Sequence, residues 1–469
     1  MRRRALSLAL VALLTLAGCA GGTGAGLESR TVAPAATAEV VRDRVGWTVE
    51  FRFAQGSPVW AFSRSALKQD SQASWRPDSW SVETPGVRLA RRGWYDVLEA
   101  EQGNVPAVVR VRFTPYARAL ATSYDPALAF TDGSVALFDG QFQLFLVASA
   151  EAAARLPLNA ATASETRISF RDAGGRVLHG GRRHNSVTVD GSGTYVLFGP
   201  ARPIVTEDMA AIIDPQLPAW LRGFLARFTP QILARYADEL GPALAARPTV
   251  MVTWAGPTPQ AINMAGSNLP GLVTMSFEGE GVLQERPQMR SQARWFIAHE
   301  GAHFWLGQAV RYENSRGAWI TEGGADLLAI RTVQAIDPAF DWKAMLNESI
   351  KDCASLSRGR GIATAAERGE HRAHYACGAL FALLVEQHSG QPFSRFVRAL
   401  IDANRADRIV TRADWLAAAA ARTGDPQLLA WIETVLDRGL EDPPASIAAM
   451  LERSGMRVDR GTDGVPRLQ

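Results

Sequence analysis

One five-residue motif constrains this chain more than any other feature. Residues 299–303 read His-Glu-Gly-Ala-His and stand among helix formers and apolar residues between Trp295 and Leu306. Two histidines four positions apart lie on one face of an α-helix, so both imidazoles can bind a single Zn²⁺. The intervening Glu300 then faces the water on that ion. The motif therefore predicts a helix that carries two metal ligands, His299 and His303, and one carboxylate for proton transfer.

A third ligand is expected because catalytic zinc takes three protein ligands and keeps one position for water. Eighteen residues separate His303 from Glu322, which stands in the segment WITEGGAD between Trp319 and Asp326. This spacing suits a second helix that packs against the first. With only seven histidines in 469 residues, a chance match to the whole pattern is rare.

The motif, the eighteen-residue gap and the W-x-x-E-G context of Glu322 resemble the gluzincin zinc peptidases, in particular the aminopeptidase N and glycyl aminopeptidase families. The resemblance covers residues 205–400 and, in outline, the segment before them. It implies Zn²⁺ as cofactor, a peptide or protein as substrate, and proton transfer by Glu300. In the related thermolysin pattern an Asp at the position of Asp326 accepts a hydrogen bond from the first histidine ligand, which implies the same role here. An ordinary surface or capping carboxylate is the alternative.

The same resemblance implies a donor for the oxyanion of the tetrahedral intermediate. The segment from His374 to Gly378 reads HYACG and is similar to the Y-x-K-G segment of the aminopeptidase N family, with Cys377 in place of the Lys. Tyr375 is therefore predicted to be that donor. His371 and His374 are competing donors, and a buried tyrosine of the core is the alternative.

The resemblance also implies a group that binds the amino terminus of the substrate. Aminopeptidases of this group use the Glu of a G-x-M-E-N segment on the edge strand before the zinc helix, and this chain has no such motif. The nearest candidate is Glu278, in the segment MSFEG, twenty-one residues before His299. We expect Glu278 either to bind the amine or to be an ordinary carboxylate at the end of a strand.

The amino terminus predicts export and lipid anchoring. Arginines 2–4 precede an apolar run from Ala5 to Leu14, and residues 16–19 read Leu-Ala-Gly-Cys, which resembles a lipobox. Residues 1–18 are therefore expected to be a signal peptide, with Cys19 acylated and residues 19–37 forming a flexible tether. Because Ala20 follows the cysteine instead of Asp, we expect an outer-membrane lipoprotein that faces the periplasm.

Charge and cysteine content add two expectations. Without the three arginines of the leader, Lys+Arg falls from 50 to 47 and equals the 47 Asp+Glu, and no basic stripe indicates a nucleic-acid partner. Cys353 and Cys377 are the cysteines left in the mature chain. They can form a disulfide in an oxidising compartment, while two buried free thiols are the alternative. Sequence does not determine the oligomeric state.

The order of periodic segments predicts a multidomain α+β protein. Trp47 to Phe53 and Val109 to Phe113 alternate apolar and polar residues, as half-buried strands do, and similar segments continue to residue 204. We expect a β-sandwich over residues 38–204, in whose turns His179 and His184 lie as surface residues. A thermolysin-like α+β domain is expected over 205–340 and a helical domain over 341–469.

The function predicted from these features is peptide hydrolysis by a membrane-anchored zinc metallopeptidase, with an aminopeptidase as the first interpretation. Two alternatives stay open. A thermolysin-like endopeptidase would use the same zinc ligands without an amine-binding site. A catalytically silent, peptide-binding lipoprotein would keep the fold alone.

Overall fold

The structure is a computed structural model that describes residues 34–469 except positions 119, 121, 123, 159, 161–165, 192, 208 and 463. The predicted signal peptide, Cys19 and most of the predicted tether lie outside the described residues. The first strand begins at Ala36, two residues before the predicted start of the β domain. Within the described part of the chain, every helix is too short or too polar to cross a bilayer.

The amino-terminal domain consists of short strands and two short helices, and a six-stranded sheet forms one of its layers. In chain order the elements are β1 (Ala36–Arg42), β2 (Trp47–Phe53), β3 (Val59–Phe62), α1 (Arg76–Ser79), β4 (Trp80–Val82), β5 (Val87–Arg92), β6 (Tyr95–Ala100), β7 (Val108–Phe113), β8 (Ala127–Ala129), β9 (Val135–Phe138), β10 (Leu144–Val147), α2 (Ala150–Arg155), β11 (Thr166–Asp172), β12 (Val177–His179), β13 (Arg182–His184), β14 (Ser186–Val189) and β15 (Tyr195–Phe198). The six-stranded sheet has the order β14-β11-β1-β2-β7-β4. A four-stranded sheet (β10-β3-β6-β5) and a five-stranded sheet (β13-β12-β15-β9-β8) complete the domain.

One apolar core joins these three sheets into the predicted β-rich domain. Val49 and Phe51 of β2 point into this core together with Phe62 of β3 and Phe198 of β15. The alternation in β2 and β7 therefore buries one face of the large sheet against the other two, as the sequence predicted. The segment from Val135 to Val147 is two strands, because a 3₁₀ turn at Asp139–Phe142 interrupts it.

The next part of the chain combines a five-stranded sheet with the helices that carry the metal-binding motif. Its elements are β16 (Ile204–Val205), β17 (Ala210–Ile213), α3 (Ala219–Leu240), β18 (Thr249–Trp254), β19 (Asn263–Leu269), β20 (Leu272–Glu278), α4 (Pro287–Ala302), β21 (Arg311–Tyr312) and α5 (Ala318–Ile336). The sheet order is β16-β17-β18-β20-β19. Strands β17, β18 and β20 are parallel, and β19 returns antiparallel along β20 as the edge strand.

Helices dominate the carboxy-terminal part, as predicted. Its elements are α6 (Trp342–Leu356), α7 (Arg372–Ser389), α8 (Phe393–Ala403), β22 (Ile409–Val410), α9 (Arg412–Thr423), α10 (Pro426–Asp437), α11 (Pro443–Arg453), β23 (Val458–Arg460) and β24 (Pro466–Leu468). A disulfide joins Cys353 of α6 to Cys377 of α7. One apolar core extends from α3 through α7 to α11, so the predicted boundary at residue 340 separates helices that pack in the same core.

Candidate metal centre and active site

Helix α4 places both histidines of the motif on its buried face. Pro287 opens the helix, where a missing N–H costs nothing, and its last turn packs against α3. The Tyr236 hydroxyl of α3 donates a hydrogen bond of 2.9 Å to the Ala298 carbonyl. His299 and His303 are 3% and 6% exposed. The i, i+4 spacing therefore brings two imidazoles together inside the protein, as the sequence predicted.

Three ligand atoms converge beside α4. The Nε2 atoms of His299 and His303 lie 3.1 Å apart, and Glu322 Oε2 from α5 lies 3.6 and 3.5 Å from them. Tetrahedral zinc with ligand bonds near 2.0–2.1 Å requires ligand atoms roughly 3.3 Å from one another. The three predicted ligands therefore match a zinc site in number, atom type and separation.

The other nitrogen of each imidazole has an acceptor of its own. His299 Nδ1 lies 2.8 Å from Asp326 Oδ1, and His303 Nδ1 lies 2.7 Å from the Leu306 carbonyl. The Leu306 carbonyl places the proton of His303 on Nδ1, and the Asp326 carboxylate beside Nδ1 of His299 favours a proton at that atom. Both Nε2 atoms then face Glu322, and a positive charge between the three groups stabilises this arrangement. Asp326 therefore lies in contact with the first histidine, and the hydrogen bond between them stays a prediction.

The electrostatics of the cluster also favour a positive charge. Burial opposes the charged form of His299, but the Asp326 and Glu322 carboxylates outweigh it and raise the pKa of His299 to about 10. The same balance of burial against Glu322 raises the pKa of His303. Burial opposes ionisation of Glu322, yet the two histidines hold the pKa of its carboxyl well below the usual range. The carboxylates of Glu322 and Asp326 therefore favour a positive charge at the two histidines.

Glu300 lies beside the ligands and against the edge strand β19. Its side chain is buried, and burial raises the pKa of its carboxyl. A Cβ atom at Gly266 of β19 would lie 2.0 Å from Glu300 Cδ and 2.1 and 2.2 Å from the two oxygens. Only a glycine lets the backbone of β19 come this close to the carboxylate. Gly266 was not predicted from the sequence and is a determinant of where Glu300 points.

A contact between the backbones of α5 and α7 places Tyr375 near Glu322. A Cβ atom at Gly323 would lie 2.2 Å from the Gly378 carbonyl carbon, and one at Gly378 would lie 2.4 Å from the Trp319 carbonyl oxygen. Two glycines thus allow the helices to touch, which explains the glycine after Glu322 and the glycine three residues after Tyr375.

Tyr375 itself faces the metal ligands. Its ring stacks on His299 with centroids 5.6 Å apart, and burial together with Glu322 raises the pKa of its hydroxyl, which keeps it a donor. His374 is directed elsewhere, since its Nε2 lies 3.1 Å from the Ile362 carbonyl, and His371 is exposed outside the cleft. Of the three predicted candidates, Tyr375 alone lines the cleft.

The structure does not bring Glu278 to the ligands. Its carboxylate accepts hydrogen bonds from the Thr258 hydroxyl and, at 3.0 Å, from Asn263 Nδ2, and it is absent from the described residues that line the cleft. Glu278 stands at the end of β20, whereas the hairpin at Pro270-Gly271 pairs β19 with β20 and makes β19 the edge strand.

A cleft of about 730 Å³ leads to the metal ligands. It lies between the amino-terminal domain and the five-stranded sheet β16-β17-β18-β20-β19, here called the catalytic sheet. Its described lining contains the carboxylates Asp125, Glu300 and Glu322. Asp125 comes from the amino-terminal domain, where Tyr195 donates a hydrogen bond of 2.7 Å to its backbone carbonyl. Burial raises the pKa of the Asp125 carboxyl. Among the carboxylates of this described lining, Asp125 is therefore the one that is neither a predicted zinc ligand nor Glu300.

Sequence reasoning missed Gly266 and Asp125 for different reasons. The segment NMAGSNL of β19 has no apolar alternation, but the Pro270-Gly271 turn before β20 was a signal for a hairpin. Asp125 stands in a segment without regular structure, 174 residues before His299, and no local pattern connects it with the metal-binding motif.

The fold is similar to that of an aminopeptidase N family protein and of a leukotriene A4 hydrolase. A crystal structure of an aminopeptidase N family protein from Idiomarina loihiensis matches with a TM-score of 0.65 and 11% sequence identity over 91% of this chain and 79% of that one. Native leukotriene A4 hydrolase from Saccharomyces cerevisiae matches with a TM-score of 0.51 and 13% identity over 90% of this chain and 70% of that one. No protein-family model and no curated protein matches the sequence.

These similarities concern the fold. The chain has a multidomain α+β architecture, with a β-rich amino-terminal domain and a helical carboxy-terminal part. Its fold resembles that of the aminopeptidase N family protein, as the motif predicted.

Proposed function

We propose that this protein is a zinc-dependent metallopeptidase. The observation that carries the proposal is the convergence of His299, His303 and Glu322 at separations of 3.1 to 3.6 Å. Glu300 and Tyr375 flank these ligands in one cleft. A metal site that served stability alone would need a fourth protein ligand instead of an open cleft.

The chain's own residues supply the remaining chemistry. A zinc ion held by these three ligands supplies a Lewis acid that polarises the scissile carbonyl and lowers the pKa of a water. Glu300 accepts the proton of the attacking water and donates it to the leaving amine, and its raised pKa suits both directions of transfer. The Tyr375 hydroxyl donates a hydrogen bond to the oxygen that becomes negative as the carbonyl is attacked. Asp326 holds His299 in the orientation that binds the metal.

Glu300→Gln tests this assignment. The variant should bind about one equivalent of zinc per chain, as the native protein does, and lose hydrolysis, because an amide cannot take up the proton. Zinc content by elemental analysis and peptide hydrolysis are the measurements. Glu313→Gln, at an exposed position outside the cleft, is the matched control and should stay active. A metal-free native protein or an active Glu300→Gln enzyme would contradict the proposal, and a metal-bound native protein without peptidase activity would favour the silent peptide-binding alternative.

Within this class we propose an aminopeptidase in which Asp125 binds the substrate's ammonium group. An exopeptidase of this kind needs a carboxylate that faces the reactive centre, and Asp125 is available for this role in the described lining of the cleft. Glu278 engages Thr258 and Asn263 instead. The thermolysin-like endopeptidase stays the second candidate because β19 carries Ser267 and Asn268, not a Glu, along the cleft.

Asp125→Asn and Glu278→Gln separate these possibilities. A charge-assisted contact contributes about 1.5–3 kcal/mol, so Asp125→Asn should raise KM for free-amine peptides about tenfold to a hundredfold. Amino-acetylated peptides should be poor substrates of the native enzyme, and Glu278→Gln should leave KM unchanged. Rapid cleavage of end-blocked, internally quenched peptides would instead identify an endopeptidase.

We also propose that the protein is anchored to the outer membrane through an acylated Cys19 and faces the periplasm. The lipobox-like residues 16–19 and the Gly-rich segment that follows support this location. Cys19→Ser should move the protein from the membrane fraction to the soluble fraction and remove the acyl mass. Unchanged fractionation together with an unmodified cysteine in the native protein would refute the anchor.

A further inference from the structure

A second cavity, here called the basic cavity, lies on the same face of the catalytic sheet as the cleft. Its volume is about 520 Å³, and Tyr195 lines both cavities. Thr249 and Met251 of β18 line the basic cavity, while Thr253 lines the cleft. Alternate residues of a strand point to one face of a sheet. The two cavities therefore lie side by side between the amino-terminal domain and the catalytic sheet.

The charged side chains that line the basic cavity are all basic. They are His179, Arg182 and His184 from the β12–β13 hairpin and Arg247 from the segment before β18. The described lining contains no Asp or Glu. His179 and His184 are close enough to repel, and burial together with His184 lowers the pKa of His179. The two guanidinium groups of this lining carry the positive charge, and a bound anion would neutralise it in place of a carboxylate.

The two arginines have unused donors. Among the described residues, neither the Arg182 nor the Arg247 guanidinium has a hydrogen-bonding or ion-pair partner, and the Nε of Arg247 is buried. Arg183 of the same hairpin differs, since it donates a hydrogen bond of 2.7 Å to the Arg176 carbonyl. The buried Nε of Arg247 is a donor without a partner, and a bound anion would satisfy it.

The walls of this cavity are held in place by packing. Gly181 in the turn of the hairpin has a φ of +71°, and a Cβ atom there would lie 2.6 Å from Ala210 Cβ and 3.3 Å from Arg247 Cδ. Arg183 also donates to the Ala201 carbonyl. The hairpin thus rests directly on strand β17 and on Arg247. The exposed Arg182 and the half-buried Arg247 thus line one cavity from two domains.

We propose that the basic cavity binds a phosphate group, carried either by a small soluble phosphate or by a phospholipid headgroup. Guanidinium groups match phosphate oxygens with paired donors, and two of them with two imidazoles suit an anion that has several acceptor oxygens. A cavity of about 520 Å³ accommodates a headgroup-sized ligand. The site is separate from the zinc ligands, so this inference does not depend on the proposed peptidase activity.

The test is calorimetric titration of the purified full chain with inorganic phosphate, glycerol 3-phosphate and a soluble short-chain phosphatidylglycerol. The native protein should bind one of these saturably. The double variant Arg182→Gln/Arg247→Gln should weaken that binding by at least about a hundredfold, because each arginine contributes a charge-assisted contact. Arg176→Gln, an exposed arginine of the same domain outside the cavity, is the matched control and should bind as the native protein does.

Each outcome is decisive. Preference for the free phosphates assigns the site to a soluble ligand, and preference for the short-chain lipid assigns it to a headgroup. Absence of saturable binding up to about 10 mM of all three probes would overturn the proposal. Binding that the double variant retains would overturn it too, because the phosphate would then bind elsewhere, such as at the zinc. The melting temperature of the ligand-free double variant shows whether it folds, and Arg182→Lys/Arg247→Lys, which keeps the charge, should restore part of the affinity.

Discussion

Gly266→Ala adds one methyl group directly against Glu300. The new Cβ would lie 2.0 Å from Glu300 Cδ, whereas non-bonded carbons rest about 3.5–4.0 Å apart. The carboxylate would therefore have to move by roughly 1.5 Å. The φ angle of Gly266 is not positive, so an alanine meets no backbone strain there. The free end of the Glu300 side chain moves more easily than the paired strands β19 and β20.

A displaced Glu300 no longer meets the water from which it takes a proton. A misplacement of about 1 Å in an active site can cost about 10²-fold in rate, and general base catalysis contributes 10²–10⁴-fold. We expect kcat of Gly266→Ala to fall by about 10² to 10³, with zinc content and melting temperature unchanged. Steady-state hydrolysis of a chromogenic substrate, elemental analysis and thermal unfolding are the measurements.

Two comparisons make this prediction specific. Gly174→Ala, where the new Cβ would meet Asp172 at an ordinary distance of 3.8 Å, should leave kcat unchanged. In the Glu300→Gln background, Gly266→Ala should have little further effect, because both changes act on the same step. A kcat within twofold of native, or a fully additive loss in the double variant, would refute the reasoning.

Further predictions follow from the other contacts of the site. Tyr375→Phe should lower kcat by about 10²–10³ with zinc content unchanged, as expected for a lost oxyanion donor, and near-native kcat would assign that role elsewhere. Asp326→Asn should weaken zinc binding about 10- to 100-fold in competition with a chelator, because His299 loses the charge that orients it; unchanged affinity would contradict this. Replacing both Cys353 and Cys377 by Ala should lower the free energy of unfolding by about 3 kcal/mol, since the disulfide closes a loop with a sequence separation of 24. An unchanged urea midpoint would show that the crosslink does not stabilise the fold.

The metal-binding centre was predictable because its residues lie close together in the sequence. His299, Glu300 and His303 occupy one helical turn, so helix geometry alone fixes their relative directions. Glu322 and Asp326 likewise share one face of α5. The apolar alternation in β2 and β7 predicted the β-rich domain for the same reason, since such a pattern spans only a few residues.

The tertiary structure decided which other groups meet these residues. Gly266 touches Glu300 because a two-residue hairpin turns β19 back along β20, and β19 lacks the apolar alternation that would have revealed it. Glu278, on β20, was brought instead to Thr258 and Asn263.

The close contact between α5 and α7 could not be predicted from the sequence either. It depends on Gly323 and Gly378, which stand 55 positions apart, and neither glycine alone indicates that the two helices touch. Asp125 reaches the cleft, and Arg182 and Arg247 share a cavity, through the packing of one domain on another. The sequence of a segment indicates its own secondary structure and the chemistry of its side chains. Contacts between distant segments depend on how whole elements pack, and that packing is a property of the complete fold.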